Sequence, residues 1–347
     1  MKKRGKKLLI IGFICLNYLC LSSCNNSTTE EDIYEPSYDN YMESYHIANK
    51  LNDTESNYTD VIMFQGKLTA TDDKNSCLKI FDTQLNLVDT IGCMGNGKLQ
   101  FIKPKSLDID SNGNLYILDY GNDRIQILNS NYEYVKEVKL GFLEGTQYQV
   151  DNVDFIVTND GKKAYISGSN SDPNLYYIDL ETGEYQIILK LSQGYFAKED
   201  NIIYYVELGE CIQEEDNFSV GSGKNYFYTM NGSEVESKVR LADLLSVRGA
   251  MIKDKQLVLG SWRVLAGSKS KGGSLIHTFN INGEYINTLF GNQLTDDMFE
   301  KEPYPENEDI FIFNIEQGQN DSILALYARD GFDNLDKGTS IMVLEPN

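Results

Sequence analysis

The sequence predicts an all-β chain folded as a six-bladed β-propeller. Each blade has four antiparallel strands, and a strand from the N-terminal side completes the last blade. Three observations predict this. Short alternating segments bounded by turn residues recur along most of the 347 residues, as expected of stacked antiparallel sheets. The chain carries 23 tyrosines and 28 glycines against six prolines, a composition that suits strands and tight turns. The phrases IFDTQLNLVDTIG, YIDLETGEYQIIL and TFNINGEYINTLFG share one pattern, a polar turn joining the third and fourth strands of a repeat.

The clearest repeat is the second, Gly92 to Leu128. A glycine-rich lead-in reaches Phe101 and Pro104, and Leu107 and Ile109 then alternate with Asp108 and Asp110. Asn112-Gly113 supplies the positive φ of a hairpin turn. Leu115 to Leu118 is apolar on both faces, as in a strand covered above and below. The turn Tyr120 to Asp123 returns the chain through Arg124 and sets Asp119 opposite Arg124, the place of a cross-strand ion pair. Four further repeats follow by the same rhythm, starting at Val61, Val153, Tyr195 and Gly249. The sixth ends after three strands, Ile310–Ile315, Ile323–Tyr327 and Ser340–Leu344. An open edge is a liability, and Ser44 to Leu51 is the strand expected to close it. A seven-bladed ring is the competitor, and the strand count argues against it.

The repeat resembles an NHL repeat, carried by Pro104, Asp110, Gly113, Asp119, Asn122 and Arg124. The chain after its leader resembles bacterial lipoproteins of the TolB-like six-bladed propeller group. Lys2, Lys3, Arg4, Lys6 and Lys7 precede an apolar run, Leu8 to Leu21, too short to span a bilayer. Leu21-Ser22-Ser23-Cys24 looks like a lipobox, which implies lipidation at Cys24 and attachment to the cell envelope, with the outer membrane as the expected site. Residues 1–23 are thus expected to be a signal peptide, 24–43 a polar tether and 44–347 one propeller domain.

Five of the 31 basic residues lie in the leader, so the mature chain has 26 against 52 acidic ones, a net charge of −26. Such a surface repels phosphate backbones, and nucleic acid is not an expected partner. Cys77, Cys93 and Cys211 remain after the leader. Folding the third and fourth strands of the first blade sets Cys77 opposite Gly92 or Cys93, and both a disulfide and free thiols fit that spacing.

No cofactor is expected and no catalytic signature survives inspection. Residues 108–119 mimic a calcium loop, but period-two alternation around Asn112-Gly113 makes them a hairpin. Gly221-Ser222-Gly223-Lys224 lacks the leading glycine of a phosphate loop. His46 and His277 lie on different strands. Propellers of related fold include calcium-dependent lactonases and lyases that work at the central channel, and Asp110, Asp154, Asp160 and Asp309 are the carboxylates that could serve here. Two classes stay open: a binding or scaffold module for a protein or glycan, and a channel-centred hydrolase or lyase. The long insertions, among them 209–224, 265–273, 291–308 and 330–338, all fall on one face. Trp262, Arg263, Phe299, Tyr304 and Phe332 are the expected anchors for a partner on it. Tolerated disordered insertions are the alternative reading of these loops.

Overall fold

The structure is a computed structural model that describes residues 44–143, 153–168, 172–208, 211–214, 217–220, 224–243, 246–264, 272–291, 311–328 and 338–347. It contains six four-stranded antiparallel sheets. Blade 1 comprises Tyr58–Phe64, Lys67–Asp72, Cys77–Phe81 and Leu87–Ile91. Blade 2 comprises Pro104–Ile109, Leu115–Asp119, Arg124–Leu128 and Tyr134–Lys139. Blade 3 runs from Asp154 to Lys190, blade 4 from Gly194 to Asp243, and blade 5 from Ser246 to Phe290. Blade 6 takes Ile312–Gln317, Ile323–Ala328 and Thr339–Pro346, and its outermost strand is Tyr45–Lys50. The predicted closing strand therefore closes the ring, pairing Tyr45 with Pro346 and Lys50 with Met342. Among the described residues no α-helix occurs, and no helix is long and apolar enough to cross a membrane.

Each blade is apolar on both faces because each is sandwiched between two others, and the core is divided accordingly. Six hydrophobic clusters lie one between each pair of neighbouring blades. Tyr58, Leu68, Leu324 and Leu326 join blades 6 and 1, for instance, and Val206, Leu241, Leu257 and Leu259 join blades 4 and 5. Second strands such as Leu115–Asp119 and Ile323–Ala328 are consequently buried at every position, which is why they read as continuous apolar runs. Blades 5 and 6 approach so closely at Gly249 that a Cβ there would meet the Ile315 nitrogen at 2.6 Å.

Some local geometry departs from expectation. The hairpin at Asn112-Gly113 spans Asp110 to Asn114 instead of two residues, because Ile109 is the last residue paired with Leu115. Asp110 closes the wider loop, accepting the Asn112 and Asn114 N–H groups at 2.9 Å each. Residues 209–224, expected as plain loop, contain a two-stranded ribbon, Cys211–Glu214 with Asn217–Val220. Cys77 and Cys93 are free thiols, the first buried and the second exposed. Leu78 pairs with Ile91, which brings Cys77 to Gly92, while Cys93 turns away into a parallel bridge with Gln100.

Strand order fixes the two faces. Connections from second to third strands, and from each blade to the next, emerge together. The described strands that flank 208–223, 265–271, 291–311 and 329–338 end and begin on that face. The opposite face is joined by tight turns such as Gln65-Gly66 and Asp254-Lys255, whose positive φ values match the primed turns of hairpins.

Candidate functional site in the central channel

The six inner strands neighbour one another in sequence order around the axis, the last against the first. Each is an edge strand whose inward N–H groups lack a ladder partner, and such groups must find acceptors or water. The chain supplies acceptors from the preceding blade. Asp60 of blade 1 accepts the Leu107 N–H of blade 2 at 2.8 Å. Asp108 of blade 2 accepts the Val157 N–H of blade 3 at 2.6 Å. Asp154 of blade 3 accepts the Phe196 N–H of blade 4 at 2.7 Å.

These side chains form a polar belt. Asn314 of blade 6 donates to Asp60 at 3.2 Å, and the Ser106 hydroxyl lies 2.8 Å from Asp60 and 3.4 Å from Asp154. Lower in the channel, toward the short-turn face, Lys198 of blade 4 reaches Asp108, and Glu316 of blade 6 adds a fourth carboxyl within their field. Arg248 stands on the inner strand of blade 5.

Burial and mutual repulsion hold protons on this cluster. Burial pushes Asp154 up to about 7, with the charge of Asp60 adding to it. Burial likewise raises Asp60 to about 6 despite the Leu107, Ser106 and Val61 bonds. Glu316 is raised by burial and then by Asp60, Asp154 and Asp108. A carboxyl whose pKa is raised by folding contributes stability below its unfolded pKa, and that contribution is lost as pH rises through the folded value. The window here runs from about pH 4 to about pH 7. Asp154→Asn is therefore expected to flatten the fall of the melting temperature across that window. Even half of Asp154's displacement from an ordinary carboxylate corresponds to about 2 kcal/mol. An unchanged slope in the variant would remove Asp154 from the account. The slope is the readout because an amide also loses one of the two backbone bonds.

The sequence-predicted residues fall in three groups. Of the four carboxylates proposed for the channel, Asp154 lines it and Asp309 lies outside the described residues. Asp110 and Asp160 do not reach it: each folds back on its own turn, Asp110 onto Asn112, Asn114 and Tyr116, and Asp160 onto Thr158 and Lys162. Asp60, Asp108, Glu316 and Lys198 are the channel groups that sequence reasoning missed. Their alternation on inner strands, with acidic residues at apolar-strand positions, is the signal that would have found them.

The repeat residues sit together in blade 2. Pro104 opens the inner strand and pairs with Asp119, Gly113 has φ +76°, and Asn122 donates to Asp119 at 2.8 Å. Arg124 pairs with Asp119 across the strands and bonds it at 2.8 Å. Trp262 and Arg263 lie just before the end of the second strand of blade 5, Gln256–Val264, with Trp262 in register with Ser246 and Ser274. Cys24, Phe299, Tyr304 and Phe332 lie outside the described residues. His277 is buried beside Thr288 at 2.9 Å, and His46 bonds Asn347 at the closing edge, so the two histidines are not brought together.

No protein-family model and no curated protein matches the chain. Solved structures do, 744 chains in all, so the architecture is too widely shared to carry one activity. A Bacteroides fragilis protein described as exported is 13% identical over 91% of this chain and 99% of its own, with a TM-score of 0.54. A Trichoderma reesei protein of carbohydrate-active enzyme family AA12 is 10% identical over 93% and 100%, with a TM-score of 0.51. Virginiamycin B lyase of Staphylococcus aureus is 11% identical over 86% and 99%, with a TM-score of 0.49. Identities this low establish the fold alone. The chain is a six-bladed β-propeller closed between its two ends.

Proposed function

We propose that this is a lipid-anchored propeller of the cell envelope, TolB-like with an NHL-type second blade, that binds a protein or glycan through its long-connection face. The observation that carries the reading is the asymmetry of the two faces. The connections that exceed every opposite turn, 208–223, 291–311 and 329–338 among them, join strand ends on one face, whereas the other face is closed by short turns. Long connections cost ordering entropy and concentrate where surfaces are used. The loop at Cys93 to Gln100, on the same face, is held by backbone bonds to Arg124 and presents Met94, 70% exposed. Trp262, Arg263, Phe299, Tyr304 and Phe332 are the proposed anchors, Cys24 the lipid site, and the outer membrane the proposed location.

The test is recovery of a crosslinked partner by the tagged, lipidated chain. Trp262→Ala with Tyr304→Ala, or removal of 265–271, should abolish recovery while leaving the melting temperature nearly unchanged. Charge reversals at Lys162 and Lys255 on the short-turn face should leave recovery intact. The opposite pattern would transfer the working surface to the other face.

A second reading is favoured by the channel carboxyls, which can exchange protons near neutrality. On that reading the chain is a hydrolase or lyase with Asp154 and Asp60 as acid and base. It requires turnover that Asp154→Asn and Asp60→Asn each remove.

A further inference from the structure

Calcium at the axis is what the calcium-dependent lactonases of similar fold would imply for this channel. Calcium wants six to eight oxygen ligands, carboxylates foremost. The carboxylates here are already engaged. Asp60 takes the Leu107 and Val61 N–H groups and the Ser106 hydroxyl, and Asp154 takes those of Phe196 and Phe155. Oxygens already accepting these bonds have fewer lone pairs left to fill a shell of six to eight ligands. Among the described residues, no group of three or more His, Cys, Asp and Glu is arranged to hold a metal ion. The residues do not fit calcium.

What they do surround is an ammonium. Lys198 Nζ lies 2.9 and 3.2 Å from the two Asp108 carboxylate oxygens, 3.0 Å from the Ile109 carbonyl and 3.1 Å from the Val157 carbonyl. Four oxygens from blades 2 and 3 thus converge on one positive charge delivered by blade 4. Carbonyls and a bidentate carboxylate around a point charge are the ligand types of a hard-cation cage. The Lys198 side chain is largely buried, so its stem occupies space beside these oxygens. Asp60, Asp154 and Glu316 are the other carboxyls whose fields overlap in this cluster.

We propose that the cation of the central channel is the Lys198 ammonium itself, a built-in ion that ties blades 2, 3 and 4 together and makes the ring independent of divalent metal. The proposal is separate from the partner-binding reading and survives or falls without it. It also separates this chain from a calcium-dependent mechanism of the channel.

Melting temperatures of the purified mature chain test it, measured with chelator and with millimolar calcium or magnesium. The wild type should melt at the same temperature in all three. Lys198→Ala should melt lower and regain part of the loss when a divalent ion is added, because removing the stem leaves the oxygens facing an open space. Adding Asp108→Asn to that variant should abolish the metal response, which excludes ions adsorbed on the acidic surface. A wild type that loses stability on chelation holds a resident metal, and that overturns the proposal. So does a folded Lys198→Ala with no more metal response than the wild type. Should Lys198→Ala fail to fold, Lys198→Ser refolded in the presence and absence of calcium gives the same decision: folding that calcium does not assist refutes the cage.

Discussion

Replacing Arg124 by methionine should cost about 3–5 kcal/mol, the range for removing one partner of a buried ion pair. Arg124 is 1% exposed, and every N–H of its guanidinium has an acceptor. Nε donates to Asp119 at 2.8 Å, and Nη1 donates to the Asn96 carbonyl at 2.8 Å and to Glu137 at 2.6 Å. Nη2 donates to the carbonyls of Gly97 and Gln100 at 2.9 and 2.8 Å. Methionine keeps the volume and none of the donors, so it leaves the buried Asp119 carboxylate without its counter-charge and takes one donor from each of three backbone carbonyls. Lysine keeps the charge yet cannot span five acceptors in one plane, and Arg124→Lys should lose much of the same stability. Asp119→Asn combined with Arg124→Met should recover part of it, because the uncompensated charge is gone. Urea melts of the four proteins, with limited proteolysis at Gly95 to Leu99, measure both effects. If Arg124→Met stays within about 1 kcal/mol of wild type, the guanidinium is not what holds the lead-in to blade 2.

That blade was also the most legible part of the chain, and the reason is range. Asp119, Asn122 and Arg124 act on one another within a single hairpin, so their spacing is readable directly. The channel is the opposite case. Asp108 meets Lys198 ninety positions away, and Asp60 meets Leu107 forty-seven positions away. A lone acid on a strand carries no mark of which neighbour it will face once six sheets are arranged in a ring. Hence Asp110, Asp154 and Asp160 looked alike in sequence, and only Asp154 points to the axis. The turn acids Asp110 and Asp160 could have been told apart from it. Each is followed within two residues by Asn-Gly or Gly-Lys, and a carboxylate there bonds its own turn. The Cys211–Val220 ribbon was missed because its two strands are only four residues each and have no apolar face long enough to register as a period. Closure of the ring was legible for a different reason. A final blade short of one strand states what it lacks, and only one unassigned alternating stretch, Ser44 to Leu51, was left to supply it.

Deleting that stretch should have an effect as large as any single change to the protein. Tyr45–Lys50 pairs with Thr339–Pro346 along five registered positions, and Leu51 continues with a bond from its N–H to the Ile341 carbonyl at 2.8 Å. Tyr45 is 6% exposed and packs with Ile315, Met342 and Leu344, and its hydroxyl donates to the Asp321 carbonyl at 3.0 Å. Ladder bonds contribute about 1 kcal/mol each, and burying the tyrosine adds about 2 kcal/mol. The strand is therefore worth on the order of 5 kcal/mol or more, comparable with the whole stability of many domains. Its removal also leaves Thr339–Pro346 as a bare edge with Ile341, Met342 and Leu344 behind it, a template for pairing with another chain. Loss of 44–51 should thus lower the melting temperature sharply and produce aggregates below it, whereas loss of 25–34 should change neither. Addition of a synthetic peptide spanning Ser44 to Leu51 should restore part of the stability in trans, since the strand enters the sheet from outside. Equal melting temperatures for the two truncations would mean that the last blade holds with three strands, and that the ring is closed by the cores between its blades instead of by this edge.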